Sequence, residues 1–170
     1  MPKREIRILA LNLAQTKYKL IVVGVVFRGN RWLDGIVSGL VEAKGQERTQ
    51  EIARIVRRSR QFTQLHAIML AENAADFDCH PTQLAKSLSV PVIMPSVQCS
   101  ESSLIQEQST VSFNFRLAGE DVSFVATGIG VEEAKEVLAV STKPGSRKPE
   151  ATRVAELLMR ELKFTLNSED

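Results

Sequence analysis

The sequence predicts an α/β fold on a mixed sheet, with elements in the order βββαβαβ followed by a C-terminal β-hairpin and two helices. Three observations predict it. The first forty residues hold three β-rich runs separated only by short polar or glycine-containing breaks. From residue 45 onward the apolar period changes from that of strands to that of helices, and short buried runs alternate with amphipathic ones. The chain has 170 residues, 44% of them hydrophobic, which suits one domain with a sizeable core. A single domain over residues 1–170 is expected.

IRILALNLA, residues 6–14, is the first strand, and Gln15, Thr16 and Lys17 form a polar turn. KLIVVGVVFRG, residues 19–29, is the second, rich in β-branched side chains that suit a pleated surface. Gly29 and Asn30 interrupt it before RWLDGIVSGLVE, and such a break between β-rich runs signals a hairpin. The apolar runs are nearly continuous, so both faces of this sheet are expected to be covered. GQERTQEIARIVRRSRQ, residues 45–61, puts Ile52, Ile55 and Val56 on one helical face. LHAIMLA, residues 65–71, is a short buried strand with His66 read as a core residue. HPTQLAKSL is helical, Pro81 standing near its start, and VPVIMP, residues 90–95, is another short strand.

Residues 96–110, SVQCSESSLIQEQST, are polar and serine-rich and read as a connection with a helical turn. VSFNFRLAGEDVSFVATG forms two strands around Leu117, Ala118, Gly119 and Glu120. GVEEAKEVLAV aligns Val131, Ala134, Val137 and Leu138 on one helical face. STKPGSRKP is a loop. In the last helix, EATRVAELLMRELK, the residues Ala151, Val154, Ala155, Leu158 and Leu162 are expected to point inward.

Composition excludes several classes. A formal charge of +2 gives no global field that would force a nucleic-acid partner, although a local basic patch is compatible with it. Cys79 and Cys99 form no CxxC pair, so a cysteine-built zinc site is not expected, and both read as reduced thiols. The N-terminal apolar run is too short for a signal peptide, and no stretch approaches a membrane span. A cytoplasmic protein with no membrane partner is the expectation. No Ser/His/Asp set, phosphate-binding glycine loop or dinucleotide fingerprint stands out.

Three adjacent strands followed by alternating helix and strand is the layout of a ribonuclease H-like sheet. A long crossover would set the fourth strand parallel to the first, and their neighbouring ends would form the natural site.

Four segments carry a more specific resemblance. VVGVVFRG at residues 22–29, with WLDGIV just after, looks like the hallmark hairpin of the archaeal endonuclease V-like proteins, also called the endonuclease dU family. GQERTQEI, residues 45–52, is similar to that family's G-x-D-A-T-x-x-I segment. GIGVEEAKEVL resembles its G-I-x-x-x-E-A helix start, and PEATRVAE its P-E-P-x-R-x-A-H segment. The resemblance implies an endonuclease V-like, ribonuclease H-type fold and metal-dependent cleavage of DNA near a deaminated base. That chemistry needs hard oxygen ligands converging on Mg²⁺ or Mn²⁺, which activates water and steadies phosphate charge.

This sequence departs from the family at the acids. Where the family reads G-I-D-D-G, the chain has Asn12 and Leu13 in place of both aspartates. The aspartate after the fourth strand falls on Leu70, Glu47 matches the aspartate of D-A-T, and Glu156 replaces the final histidine. A neutral amide binds Mg²⁺ more weakly than a carboxylate, and leucine does not bind it.

Each candidate residue has two readings. Asn12 is a weak metal ligand or a polar group hydrogen-bonded at the end of a buried strand. Glu47 is a remaining ligand or a carboxylate favoured at the positive end of a helix. ENAADFDCH places Glu72, Asp76, Asp78 and His80 after the fourth strand. They form a shifted metal site or a solvated loop with a helix cap at Asp78. Arg28 and Gly29 clamp a phosphate or simply end a hairpin, while Asp34 and Gly35 read as a bulge or turn. Residues 44–60 hold six basic residues against two acidic ones, with Arg48 in the first turn. Arg54, Arg57 and Arg58 share a face that tracks a nucleic-acid backbone or is merely wet. Arg153 and Glu150 are spaced for a surface ion pair, without a role read for it.

Three functions follow. The first is an endonuclease V-like domain with a degenerate site and no metal cofactor. It would bind DNA or RNA weakly through Arg28, Gly29 and the Arg48 to Arg60 face, with little or no cleavage. The second is a working endonuclease using Mg²⁺ or Mn²⁺ held by Glu47, Glu72 and Asp76. The third is a non-enzymatic subunit with a protein partner or a homodimer.

Overall fold

The computed structural model describes residues 5–42, 44–45, 47–96 and 109–167. Cys99 and most of the serine-rich connection lie outside them. The elements run β1 (Arg7–Gln15), β2 (Leu20–Arg28), β3 (Trp32–Val41), α1 (Glu47–Arg57), β4 (Leu65–Leu70), α2 (Pro81–Leu88), β5 (Val92–Pro95), β6 (Thr110–Leu117), β7 (Glu120–Thr127), α3 (Val131–Ser141) and α4 (Glu150–Asn167). Short 3₁₀ turns cover Phe62–Gln64 and Glu72–Phe77. The order expected from the sequence is the order observed.

The strands form one sheet in the order β3-β2-β1-β4-β5-β7-β6. β1 pairs antiparallel with β2 and parallel with β4, so the ends of β1 and β4 lie side by side as the crossover argument required. Alternation along β1 divides the interior. Leu9, Leu11 and Leu13 pack with Ile52, Ala53 and Val56 of α1 and with Leu84 and Leu88 of α2. Ile8 and Ala10 pack on the other face with Ala134 and Leu138 of α3 and Ala151 and Ala155 of α4. At the crowded centre of β2, a Cβ on Gly24 would lie 2.8 Å from Leu9 Cδ1, 2.9 Å from Leu11 Cδ2 and 3.3 Å from Val37 Cβ.

Four expectations are corrected. Coverage of both faces holds for β1 and β2 but fails at β3, where Leu33, Ile36 and Leu40 are more than half exposed. They share the α4 side of the sheet because α4 packs over β1 and β2 and stops short of the edge. His66 is an exposed residue rather than a core one, its Nδ1 accepting a hydrogen bond from the Arg7 backbone N–H. Asp78 does not cap α2: it sits in the left-handed region (φ 55°) and closes the preceding 3₁₀ turn, while His80 occupies the cap position. In α4 the inward position falls to Met159, which packs on Ile21 and Val23, and Leu162 is partly exposed.

Asp34 is the bulge residue the sequence suggested. The β2–β3 register shifts around it, Val26 facing Gly35 and Phe27 facing Leu33. The extra residue aims its carboxylate back across β2. Among the described residues, no helix is long and apolar enough to cross a membrane.

Candidate functional site

A cavity of about 390 Å³ opens where β1 and β4 end side by side. Asn12 lines it together with Leu70, Ala71, Glu72 and Asn73. Apolar walls come from Met69, Ile93, Phe124 and Leu138, and Arg147, Lys148, Thr152 and Glu156 line it from the α3–α4 loop and α4. A mostly apolar pocket with a few convergent polar groups is the usual build of a small-ligand or substrate site. The sequence reading treated residues 141–149 as a bare loop, so it missed Arg147 and Lys148. Only the fold brings that loop to the strand ends.

Asn12 is half-buried and opposite Val23. Its amide makes no hydrogen bond with the described residues, contrary to the expected polar anchor. Leu13 and Leu70 are about 1% exposed and belong to the α1-facing core. Glu156 is engaged by Lys148, whose Nζ donates to both carboxylate oxygens at 2.8 Å. Glu72 and Asp76 are exposed on the 3₁₀ turn, and Glu47 is exposed at the first residue of α1. Among the described residues, no three His, Cys, Asp or Glu side chains converge to hold a metal ion. The donor set at the strand ends is an amide, a leucine and a carboxylate already neutralised by lysine. It does not fit a hard divalent cation, which needs several converging anionic oxygens.

The candidate basic residues divide among three places. Arg48 is a tether: it donates to Gln15 Oε1 at 3.0 Å and to the Phe77 carbonyl at 3.4 Å, beside Asp78. Beneath it, buried Thr49 donates to the Asp78 carbonyl at 3.0 Å and accepts from the His80 N–H at 3.1 Å. Arg28 and Gly29 stand at the other end of the sheet. Arg28 faces Arg7, five residues back along β1 from Asn12, which is about 17 Å at the usual rise per residue. Asp34 takes Arg7 Nε on one oxygen and Arg28 Nη2 on the other, at 2.8 Å for Arg28. The Arg7 hydrogen bond, then that of Arg28, holds the Asp34 carboxyl below its ordinary range despite partial desolvation. Gly29 has φ 59° and donates its N–H to the Ile6 carbonyl. Arg54 and Arg57 are exposed on α1 and Arg58 in the turn that follows it, on the sheet face opposite the cavity. Arg57 reaches the Ser87 carbonyl and hydroxyl at the end of α2.

The loop carrying Arg147 and Lys148 is pinned by Glu150, which is 4% exposed and so less superficial than a surface ion pair. Arg153 engages both of its oxygens, at 2.6 and 3.0 Å, and Lys143 adds a bond at 2.9 Å. Arg153 first, with Lys143, outweighs burial and lowers the Glu150 carboxyl from 4.5 to about 2. Cys79 is buried, and desolvation pushes its thiol up to about 12, which leaves it inert at neutral pH.

Comparison with known proteins follows the same outline. The endonuclease dU family model matches residues 4–115. A UPF0215 protein of Methanosarcina barkeri is 28% identical over 179 residues, spanning 92% of this chain and 90% of that one. A crystal structure of a protein of unknown function from Archaeoglobus fulgidus superposes with a TM-score of 0.72 at 20% identity, covering 92% of this chain and 97% of that one. Ciona intestinalis endonuclease V, crystallised with a 24mer DNA containing an inosine followed by a ribo-adenosine, superposes with a TM-score of 0.66 at 12% identity, covering 95% and 87%.

Proposed function

Because the chain belongs to the endonuclease dU family, we propose that it is an endonuclease V-like nucleic-acid-binding protein that cleaves little or not at all. One observation carries this reading. At the paired ends of β1 and β4, Asn12 and buried Leu70 stand where the family resemblance calls for aspartates. The nearby acid Glu156 is held by Lys148 rather than left free for a cation. The alternative set of Glu47, Glu72 and Asp76 gains no support, since these side chains are exposed and form no metal-competent group. Nucleic acid as the ligand is supported by the shared fold and by the exposed arginines of α1 and of the turn that follows it. The contacts are assigned to Arg54 and Arg58, because Arg28 and Arg48 are engaged within the fold.

The test is thermal unfolding across a titration of Mn²⁺ and Mg²⁺, with cleavage assays on DNA containing deoxyuridine or deoxyinosine. A ligand bound only by the native state raises the unfolding temperature. The expected result is no metal-dependent shift and intact DNA. Metal-dependent cleavage by the wild type that is lost in Glu47→Gln would replace this reading with that of a working endonuclease.

A further inference from the structure

The two edges of the sheet are built differently. β6, at one edge, presents Ser112, Asn114 and Arg116 outward, the polar and charged guard that keeps an edge from pairing with another chain. β3, at the other, is ten residues long and exposes Trp32 (68%), Leu33 (54%), Ile36 (57%) and Leu40 (58%). Its single charged residue, Asp34, is neutralised by Arg7 and Arg28. Gln61 covers the edge at one point, donating to the Asp34 carbonyl at 3.0 Å. Beyond it the run Ile36–Val41, IVSGLV, pairs with β2 on its inner side and has no strand on its outer side among the described residues. A shallow groove follows this edge, lined by Ile36 and Ser38 on one side and Ile55 and Arg58 on the other.

We propose that β3 is an interface on which a second copy of this chain docks, by two-fold antiparallel pairing centred on Ser38. The segment is complementary to itself in that register. Ile36 of one copy faces Leu40 of the other, Leu40 faces Ile36, and the small Ser38 side chains meet at the dyad. Residues directly opposite in an antiparallel pair share a face, so the two Ile–Leu pairs bury each other on the side that α4 leaves open. A two-fold contact uses one patch on both copies, which is what a self-complementary strand supplies. In this register Ile36, Ser38 and Leu40 of each copy are covered, while Trp32 and Leu33 lie beyond the paired run. The contact is therefore a small one, below about 1,200 Å² in total, the size class of weak, concentration-dependent associations. No exposed β3 side chain brings like charges together. Arg58 and Arg60 of each copy line the groove beside this edge, and salt screens their repulsion.

The experiment is sedimentation velocity on the full chain across concentration and ionic strength, with variants of exposed residues. The wild type is expected to form a dimer whose fraction rises with concentration and with salt. Ile36→Lys with Leu40→Lys is expected to leave a monomer with unchanged circular dichroism and unfolding temperature at low concentration. In a Cys99→Ser background, Ser38→Cys is expected to link two copies through a disulfide on mild oxidation, since its partner Cα lies only ~4.5–5.5 Å away. Ser112→Cys, on the opposite edge, is not. A monomer at every concentration overturns the proposal. So does a dimer that survives the lysine pair, or linkage at Ser112 in place of Ser38.

Discussion

Thr49 and Glu150 show how single side chains hold the cleft's surroundings in place. Thr49, itself fully buried, joins α1 to the turn before α2 by one donated and one accepted hydrogen bond, both partly buried. Thr49→Val keeps the shape but leaves a carbonyl and an N–H without their partner, so unfolding in urea should show a loss of about 1–3 kcal/mol. This gives a physical reason for the threonine in the family-like segment, a reason the spacing alone could not supply. Glu150 has a depressed carboxyl, so its contribution is fully present above about pH 4.5 and disappears as pH falls toward 2. Glu150→Gln should therefore flatten the fall in stability between those values by up to about 3 kcal/mol, measured by denaturation at each pH. The sequence showed Glu150 and Arg153 as a pair spaced for a surface ion pair, but Lys143 and the burial arise from a loop whose course no local pattern records.

Among elements, β1 and β2 were the most legible because their near-continuous apolar runs match strands buried on both sides. β3 misled for a related reason: its sequence is also largely apolar, and its place at the edge, beyond the reach of α4, exposes it. The helices were read from period, and α1 and α3 bury most of the positions that period selected. His66 failed because alternation in a short strand says nothing about how deep its first residues lie. Packing at the strand level also makes a sharp demand at Gly24. Its Cβ would press on two leucines and the stiff Val37, so Gly24→Ala should cost about 1–3 kcal/mol, read from the chemical-denaturation midpoint.

Taken whole, the molecule separates what the linear sequence placed together. The apolar cavity and Arg147 lie on the α3–α4 side, while Arg54 of α1 and Arg58 in the turn after it lie across the sheet. Binding therefore has two candidate surfaces, and salt dependence distinguishes them. Arg54→Glu with Arg58→Glu should weaken DNA and RNA binding at least tenfold and flatten its dependence on salt, while Arg147→Glu should leave both nearly unchanged. The reverse pattern in a fluorescence-anisotropy titration would move the ligand to the cavity. The expectation that family acids are replaced at Asn12 and Leu70 comes from the sequence alone. The locking of Glu156 by Lys148 was not, since the two meet only across the turn into α4.

The parallel ladder between β1 and β4 also bears on how the chain reaches its native form. β1 can zip onto β2, and β2 onto β3, through short turns as soon as residue 41 is available, whereas the other neighbour of β1 arrives only with Leu65. Until then one flank of the first strand is bare, and its leucines lack the α2 residues that later cover them. Closing so wide a loop is entropically slow, and contacts distant along the chain lengthen folding times toward the millisecond-to-second range. A nascent three-stranded meander with an open central edge is thus the stage at which this polypeptide most needs protection from its neighbours.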